Sequence, residues 1–199
     1  MSELMKLGEC NVQLIGGQIM SRITTNVEKG EECIGSVKVI IPKCIQQDGS
    51  ISVADMPEEQ LKTEPDAKRI VKDGDIVMKL SSPYDAALVD KEVEGSIVPS
   101  FCAIVKNGEN IDTGYLLAFL NSDFCKDQLR IQVSGSAMSV LSVGKVANVK
   151  IPIPSLKKQK EIGDTFIEAQ RKLKLIRQIA ELESRKNDIV FRDLVKDYE

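Results

Sequence analysis

The side chains best suited to chemistry in this sequence are cysteines and carboxylates, because histidine is absent. Without an imidazole, no Ser-His-Asp triad, Cys-His pair, H-E-x-x-H zinc site or Cys₂His₂ finger can be assembled. The cysteines are odd in number and no two have C-x-x-C spacing, so we expect free thiols in a reducing cytoplasm and no metal site. They are Cys10, Cys33, Cys44, Cys102 and Cys125.

The acidic residues show no catalytic pattern. Asp73 and Asp75 belong to a turn signal. A nuclease site needs acidic residues on adjacent strands beside a lysine, whereas Asp66 and Lys68 are too close together for a strand to lie between them. Neither a P-loop nor a G-x-G-x-x-G segment is present. The sequence therefore predicts no catalytic residue and no cofactor.

The tetrapeptide Ser81-Ser82-Pro83-Tyr84 resembles the S/N/D-P-P-Y/F loop of amino-methyltransferases. In that loop, polar groups hold the target amino group while the aromatic ring stacks on a flipped base. Here a serine replaces the first proline, and no glycine-rich strand–turn–helix for the cofactor precedes the loop. We therefore interpret the tetrapeptide as a polar loop that follows a strand.

The elements that must position such loops are short in the first 151 residues. Glycine and proline recur there, and the apolar stretches are rich in β-branched residues, which favours a strand-rich α+β domain. Helical spacing predicts a helix over Thr113–Asn121 that continues through Phe124–Ile131. The predicted strands are Val37–Ile41, Asp75–Leu80, Ile97–Val105 and Val146–Ile153.

The last part of the chain has a different character. From Leu156 to about Tyr198 there is no proline and the only glycine is Gly163, and Ser155 is suited to N-cap a helix. Apolar residues recur in the alternating spacing of four and three that is typical of a coiled-coil seam. The seam is Ile162, Phe166, Ala169, Leu173, Ile176 and Ala180, and its continuation is Glu183, Asn187, Val190 and Leu194.

A helix of some 40 residues would extend about 60 Å, which is more than a small domain can cover. A second apolar row, Leu175, Ile179, Leu182 and Ile189, widens the stripe. We therefore expect a coiled coil with a partner helix, in which Asn187 either fixes the register or lies on a solvated face. The alternative is two shorter helices folded back on the domain, with a break near Glu183–Asn187. The predicted interface residues are Ile162, Phe166, Ala169, Leu173, Ile176, Ile179, Leu182, Asn187, Ile189 and Leu194.

Five segments in series resemble the specificity subunits of Type I restriction–modification systems. They are Asp73-Gly74-Asp75-Ile76-Val77, the stretch GSIVPSFCAIV over 95–105, the helix over 115–122, Gly135-Ser136-Ala137-Met138, and residues 149–162. The last segment contains the I-P-x-P-x-L-x-x-Q-x-x-I run that joins target-recognition domain and spacer helix in that family. The resemblance covers roughly residues 70–195.

The resemblance implies a DNA-recognition role without catalysis. Members typically carry two target-recognition domains, each followed by a helix, and the helices pack antiparallel to set the distance between two DNA half-sites. These 199 residues hold one such pair, a target-recognition domain over 1–151 and a spacer and dimerisation helix over 152–199. The expected partners are double-stranded DNA, a second copy of the chain, the DNA methyltransferase (modification) subunits and a restriction/translocase subunit. A homodimer would read a palindromic bipartite site.

The candidate DNA-binding residues are polar or basic residues in loops near strand ends. Residues 1–150 hold 16 basic and 21 acidic side chains, a net charge of −5, and the remainder carries +2, so partners would supply most phosphate contacts. Each candidate has the alternative of being an ordinary solvated loop residue. The candidates are Lys79, Ser81, Ser82 and Tyr84, then Ser134, Ser136 and Ser139, and finally Lys38 and Lys43 beside Gln46 and Gln47.

A second function class keeps the helix but not the DNA reading. The chain would then be a coiled-coil regulatory or decoy half-subunit that occupies modification subunits. Either protein is expected in the cytoplasm, because the N-terminus lacks the apolar core of a signal peptide and no apolar run could span a bilayer.

Overall fold

The structure is a computed structural model that describes residues 3–25, 32–108, 110–133 and 140–196. The strands in it are β1 (Glu3–Lys6), β2 (Gln13–Gly16), β3 (Gly35–Lys38), β4 (Glu58–Leu61), β5 (Ile76–Lys79), β6 (Ala86–Leu88), β7 (Cys102–Lys106) and β8 (Lys150–Ile153). The α-helices are α1 (Met20–Ile23), α2 (Thr113–Asn121), α3 (Asp123–Val133), α4 (Val143–Ala147) and α5 (Leu156–Lys196). The predicted α+β domain followed by one long helix is confirmed.

A four-stranded antiparallel sheet in the order β2-β7-β5-β6 lies at the centre of the domain. Successive side chains of a strand point to opposite faces, and both faces are covered here. Ile76 and Met78 of β5 pack with α2, whereas Val77 packs with Ile40 and its neighbours on the other face. Burial on both faces explains the continuous apolar run of β5, which the sequence predicted correctly.

Two small antiparallel sheets, β1-β8 and β3-β4, complete the domain. The predicted strands differ from the observed ones where local hydrogen bonding favours another conformation. The prediction of a strand from Val146 is wrong at its start, because Ser142 caps α4 by accepting a hydrogen bond from the Lys145 N–H. The predicted strand over Ile97–Val105 begins only at Cys102, whose N–H donates to the Pro99 carbonyl in a turn. Likewise β3 ends at Lys38 and does not reach Ile41.

The single helix predicted from Thr113 to Ile131 is two helices. They are separated at Ser122, which has an extended backbone (φ −71°, ψ 149°). The Ser122 hydroxyl accepts from the Cys125 N–H and donates to the Phe119 carbonyl, so it satisfies polar groups at the break.

Helix α5 runs for 41 residues without a break, so the alternative of two shorter helices is wrong. Its docked segment, residues 156–170, packs against α2, whereas every residue from 171 to 196, here named the arm, is exposed. None of the helices in the described ranges is long and apolar enough to cross a bilayer.

Candidate nucleic-acid interface

Three chain segments meet at the end of the central sheet where β5 stops. The Leu80 N–H donates to the Phe101 carbonyl at 2.9 Å, and the Leu141 N–H donates to the Leu80 carbonyl at 2.7 Å. The segment after β2 joins them through Gly17, whose N–H donates to the Cys102 carbonyl at 3.0 Å. These backbone bonds fix the loops relative to one another. The side chains left accessible are Ile19, Ser81, Ser82, Phe101 and Val140, and we name this set the sheet-end surface.

A buried ion-pair cluster lies beneath the sheet-end surface. Asp85, with 1% of its side chain exposed, accepts from Lys79 Nζ at 3.0 Å and from Lys126 Nζ at 2.7 Å. Burial raises the pKa of Asp85, but hydrogen bonds from Lys126 and Lys79 outweigh it and leave this pKa below its usual value. Two ammonium groups against one carboxylate leave one net positive charge under the loop, which favours an anionic ligand such as DNA.

The structure gives the predicted residues of the loop after β5 different roles. Ser82 is exposed and Ser81 partly so, which leaves both accessible to a ligand. The Lys79 ammonium is occupied by Asp85. Tyr84, at φ +60°, is only 3% exposed and packs in the core, so its ring is not presented to a base in this structure.

The other predicted residues lie in two further places. Ser134, Ser136 and Ser139 fall outside the described residues, although the Leu141–Leu80 hydrogen bond brings the chain after them to the sheet-end surface. Lys38 is exposed on β3 beside the acidic side chains Glu58, Glu92 and Glu94. Lys43 forms an ion pair with Asp55 at 2.5 Å. Neither lysine belongs to the sheet-end surface.

Sequence analysis missed Phe101 and Lys126. Phe101 was assigned to a strand, but the turn at Pro99 leaves it before β7 with 54% of its side chain exposed. Pro99, which cannot donate a hydrogen bond to a sheet, was the signal that could have separated Phe101 from the strand. Lys126 is distant in sequence from Asp85, and no local pattern could have paired them.

The junction between domain and helix is built around buried Gln159. Its Oε1 accepts from the Asp112 N–H at 3.0 Å and its Nε2 donates to the Pro154 carbonyl at 3.0 Å. One turn later Gly163 contacts the first turn of α2 so closely that a Cβ would lie 2.6 Å from the Tyr115 nitrogen. The Tyr115 hydroxyl also donates to the carbonyl of Pro152 at 2.5 Å. These contacts set the direction in which α5 leaves the domain.

The predicted interface residues divide along α5. Ile162 and Phe166 are partly buried against the domain core and line a groove of about 550 Å³ beside Ala118 of α2. The rest are exposed: Ala169, Leu173, Ile176, Ile179, Leu182, Asn187, Ile189 and Leu194.

Residues 67–184, more than half of the chain, match the family described as the Type I restriction modification DNA specificity domain. The chain belongs to this family. The matched region of this specificity domain includes the loop after β5, Phe101, Lys126 and the Gln159 junction. Membership confirms the resemblance and with it the expectation of a specificity subunit, as opposed to a catalytic one.

A curated relative and two solved structures agree with this membership. The specificity domain is 26% identical over 159 residues to the Type I restriction enzyme MjaVIII specificity subunit of Methanocaldococcus jannaschii, covering 74% of this chain and 36% of that protein. It shares its fold with the HsdS subunit of Thermoanaerobacter tengcongensis (TM-score 0.63, 19% identity, 92% of this chain and 45% of that chain). A structure described as showing complex assembly and conformational transition of the type I R-M system gives a TM-score of 0.60 at 17% identity, covering 90% and 47%. The chain thus spans less than half the length of each.

Proposed function

We propose that this chain is a sequence-specific DNA-recognition half-subunit of a Type I restriction–modification complex, working in the cytoplasm. Residues 1–151 form the DNA-reading domain and residues 152–199 the spacer and dimerisation helix. Two chains, paired through that helix, read a bipartite palindromic site and recruit modification subunits, with a restriction/translocase subunit joining the complex. The observation that carries the proposal is the family match over residues 67–184.

The sheet-end surface is the part of the domain best suited to read DNA. It combines accessible hydroxyls at Ser81 and Ser82 with an exposed aromatic ring at Phe101. Hydroxyls can donate to or accept from base edges, and apolar side chains contact thymine methyl groups or insert at base steps. Because backbone hydrogen bonds hold the three loops together, these groups are already arranged before DNA binds, which limits the ordering cost of binding.

The arm supports dimerisation because its apolar side chains have no cover in this chain. Leu173, Ile176, Ile179 and Leu194 are all about half exposed or more, and a contiguous apolar surface of this size is typical of a protein interface. A two-fold dimer presents two identical reading surfaces, so its half-sites must be identical and oppositely oriented.

The width of the stripe supports a further partner. In a helix with 100° per residue, Leu175, Leu182 and Ile189 lie on a different side from the seam residues Ile176 and Leu194. A two-helix seam covers only the latter, so the former remain available for modification subunits. Those subunits would also supply most phosphate contacts, since residues 1–150 carry a net charge of −5.

The proposed DNA role is tested by comparing Phe101→Ala with Phe124→Ala in mobility-shift assays with modification subunit added. Phe124 is a similarly exposed aromatic on α3, which makes it a matched control. Binding fragments are first selected from a randomised duplex pool with the unaltered chain. Loss of one apolar base contact should weaken binding of the selected fragment about tenfold for Phe101→Ala, and Phe124→Ala should bind normally.

Two outcomes contradict the proposal as stated. Equal binding by both variants removes the sheet-end surface from DNA reading. Failure to select any preferred sequence, with weak and uniform binding that depends only on salt, favours the regulatory or decoy half-subunit.

A further inference from the structure

We propose that two copies pair antiparallel in one register, in which the end of each arm fills the groove beside α2 of its partner. This inference rests on the homodimer proposed above and specifies where the second copy sits. It follows from the groove, the position of the apolar stripe and the symmetry of the seam.

The groove is an apolar surface that this chain leaves open. It lies between α2 and the docked segment of α5 and is lined by Ala118, Ile162, Phe166 and Ala169, with polar side chains at its rim. Its volume of about 550 Å³ is enough for several apolar side chains. Ile162 and Phe166 remain only partly buried in it, so a ligand that fills the groove would complete their burial.

The groove is continuous with the exposed stripe of the arm. At 100° per residue, Ile162 and Ala169 project in nearly the same direction as Ile176 and Leu194. The helix therefore presents one apolar strip, which begins in the groove and ends at the tip of the arm. An occupant that covers the strip must itself be an elongated apolar helix, and the arm of a second copy is one.

The seam is self-complementary when two helices run antiparallel with their two-fold axis at Gln178. Each core position of one copy then faces a core position of the other, with the alternation of heptad positions a and d that an antiparallel coiled coil requires. The layers are Ile176 with Ala180, Leu173 with Glu183, Ala169 with Asn187, Phe166 with Val190, and Ile162 with Leu194.

This register accounts for the polar seam residues and fills the groove. Asn187 faces the small Ala169, which leaves space for its amide, and Glu183 lies next to Lys172 of the other copy. Phe191 follows Val190 on the side of the seam turned toward α2 of the partner, and it is 68% exposed in the single chain. Phe191 is thus placed beside Ala118.

Other arrangements leave apolar surface uncovered. A shift of one heptad in one direction leaves Ile162 and Phe166 without partners, and a shift in the other direction leaves Val190 and Leu194 without them. Parallel pairing would place each groove against an identical groove, with no side chain from the arm to fill it. The register centred on Gln178 is the one that covers the whole strip.

The test is cross-linking of mixed cysteine variants with a short bis-maleimide. The background is Cys33→Ser, because Cys33 is the exposed cysteine and the other four are buried. One mixture combines Phe166→Cys with Val190→Cys, across the seam. The second combines Ala118→Cys with Phe191→Cys, across the groove, and neither of these positions lies in the buried core, so both variants should fold.

We expect covalent dimer from each mixture and none from any single variant alone. Self-cross-linking of Val190→Cys alone would show parallel pairing and overturn the inference. Absence of cross-links from both mixtures, while the solution mass stays near twice 22.0 kDa, would overturn the register but leave the homodimer standing. A mass of 22.0 kDa for the unaltered chain would remove the homodimer and the register together.

Discussion

The docked segment and the arm of α5 share one apolar pattern but differ completely in burial. Ile162 and Phe166 of the docked segment pack against the domain core, whereas Ile176 in the arm is 61% exposed. The same heptad spacing thus serves an intramolecular contact in one half of the helix and an unpartnered surface in the other. The pattern predicts that a stripe must be covered. What covers it depends on where the rest of the chain lies.

The two regions should therefore respond independently to mutation. The domain has its own core on both faces of the central sheet, and the arm contributes no buried apolar residue to it. Changes in the arm should alter association without unfolding the domain, and changes beneath the sheet-end surface should do the reverse.

The largest effect is expected from Leu173→Asp and Ile176→Asp. Each places a carboxylate in the apolar seam, where burial of an unpaired charge is strongly unfavourable, so dimer should be lost while the domain stays folded. Solution mass and thermal unfolding measure the two properties. Arg185→Asp, on the polar side of the arm, is the control that should still dimerise. Dimerisation of both seam variants would mean that the seam is assigned wrongly.

The reverse case is Asp85→Asn, which leaves Lys79 and Lys126 without their carboxylate. Breaking a buried pair of this kind should lower the free energy of unfolding of the domain by about 3 kcal/mol. Denaturant titration measures this loss, and Asp66→Asn, at an exposed ion pair with Arg69, should change stability little.

The Asp85 effect should also depend on pH. Because the pKa of Asp85 is lowered in the folded domain, its stabilisation is complete above the usual carboxyl pKa of about 3.9 and is lost as the pH falls through the lower folded value. The difference between the unaltered chain and Asp85→Asn should therefore shrink below about pH 4. A difference that stays constant down to pH 2 would exclude the ion pairs as its source.

A smaller effect is expected from Gly163→Ala at the junction between the two regions. The new Cβ would lie 2.6 Å from both Asp112 Oδ1 and the Tyr115 nitrogen, so α5 must shift away from α2 at a cost of about 1–3 kcal/mol. Gly144→Ala is the matched control, because its nearest neighbour is 3.9 Å away. Equal stability of the two variants would show that the docked segment is not held by this close contact.

The smallest effect concerns thiol reactivity, which should report folding of the domain without disturbing it. Burial raises the pKa of Cys102 and Cys125 to about 12 and also raises the pKa of Cys10 and Cys44. Iodoacetamide at pH 8 should therefore add one group, at Cys33, as measured by intact mass. Labelling at Cys102 in the dimer-defective seam variants would show that the arm does stabilise the domain.

Local patterns were sufficient for several elements. The apolar run of β5, the turn before it and the uninterrupted α5 were all predicted from spacing and composition, because each depends on residues near in sequence. The break at Ser122 and the helix over Val143–Ala147 were missed, since side-chain hydrogen bonds to the backbone decide both. The loop after β5 was identified, but the inward orientation of Tyr84 depends on packing against distant segments.

By itself the sequence determined that the chain ends in a long helix with more apolar surface than a small domain can cover, and which loop follows the central strand. Those features follow from periodicity and from residue types along one stretch of chain. Only the tertiary structure decided that α2 covers the first third of that helix, that Lys126 reaches Asp85, and that Phe101 lies beside Ser81. Each of these depends on segments 20 or more residues apart, and their approach is set by packing of the whole core.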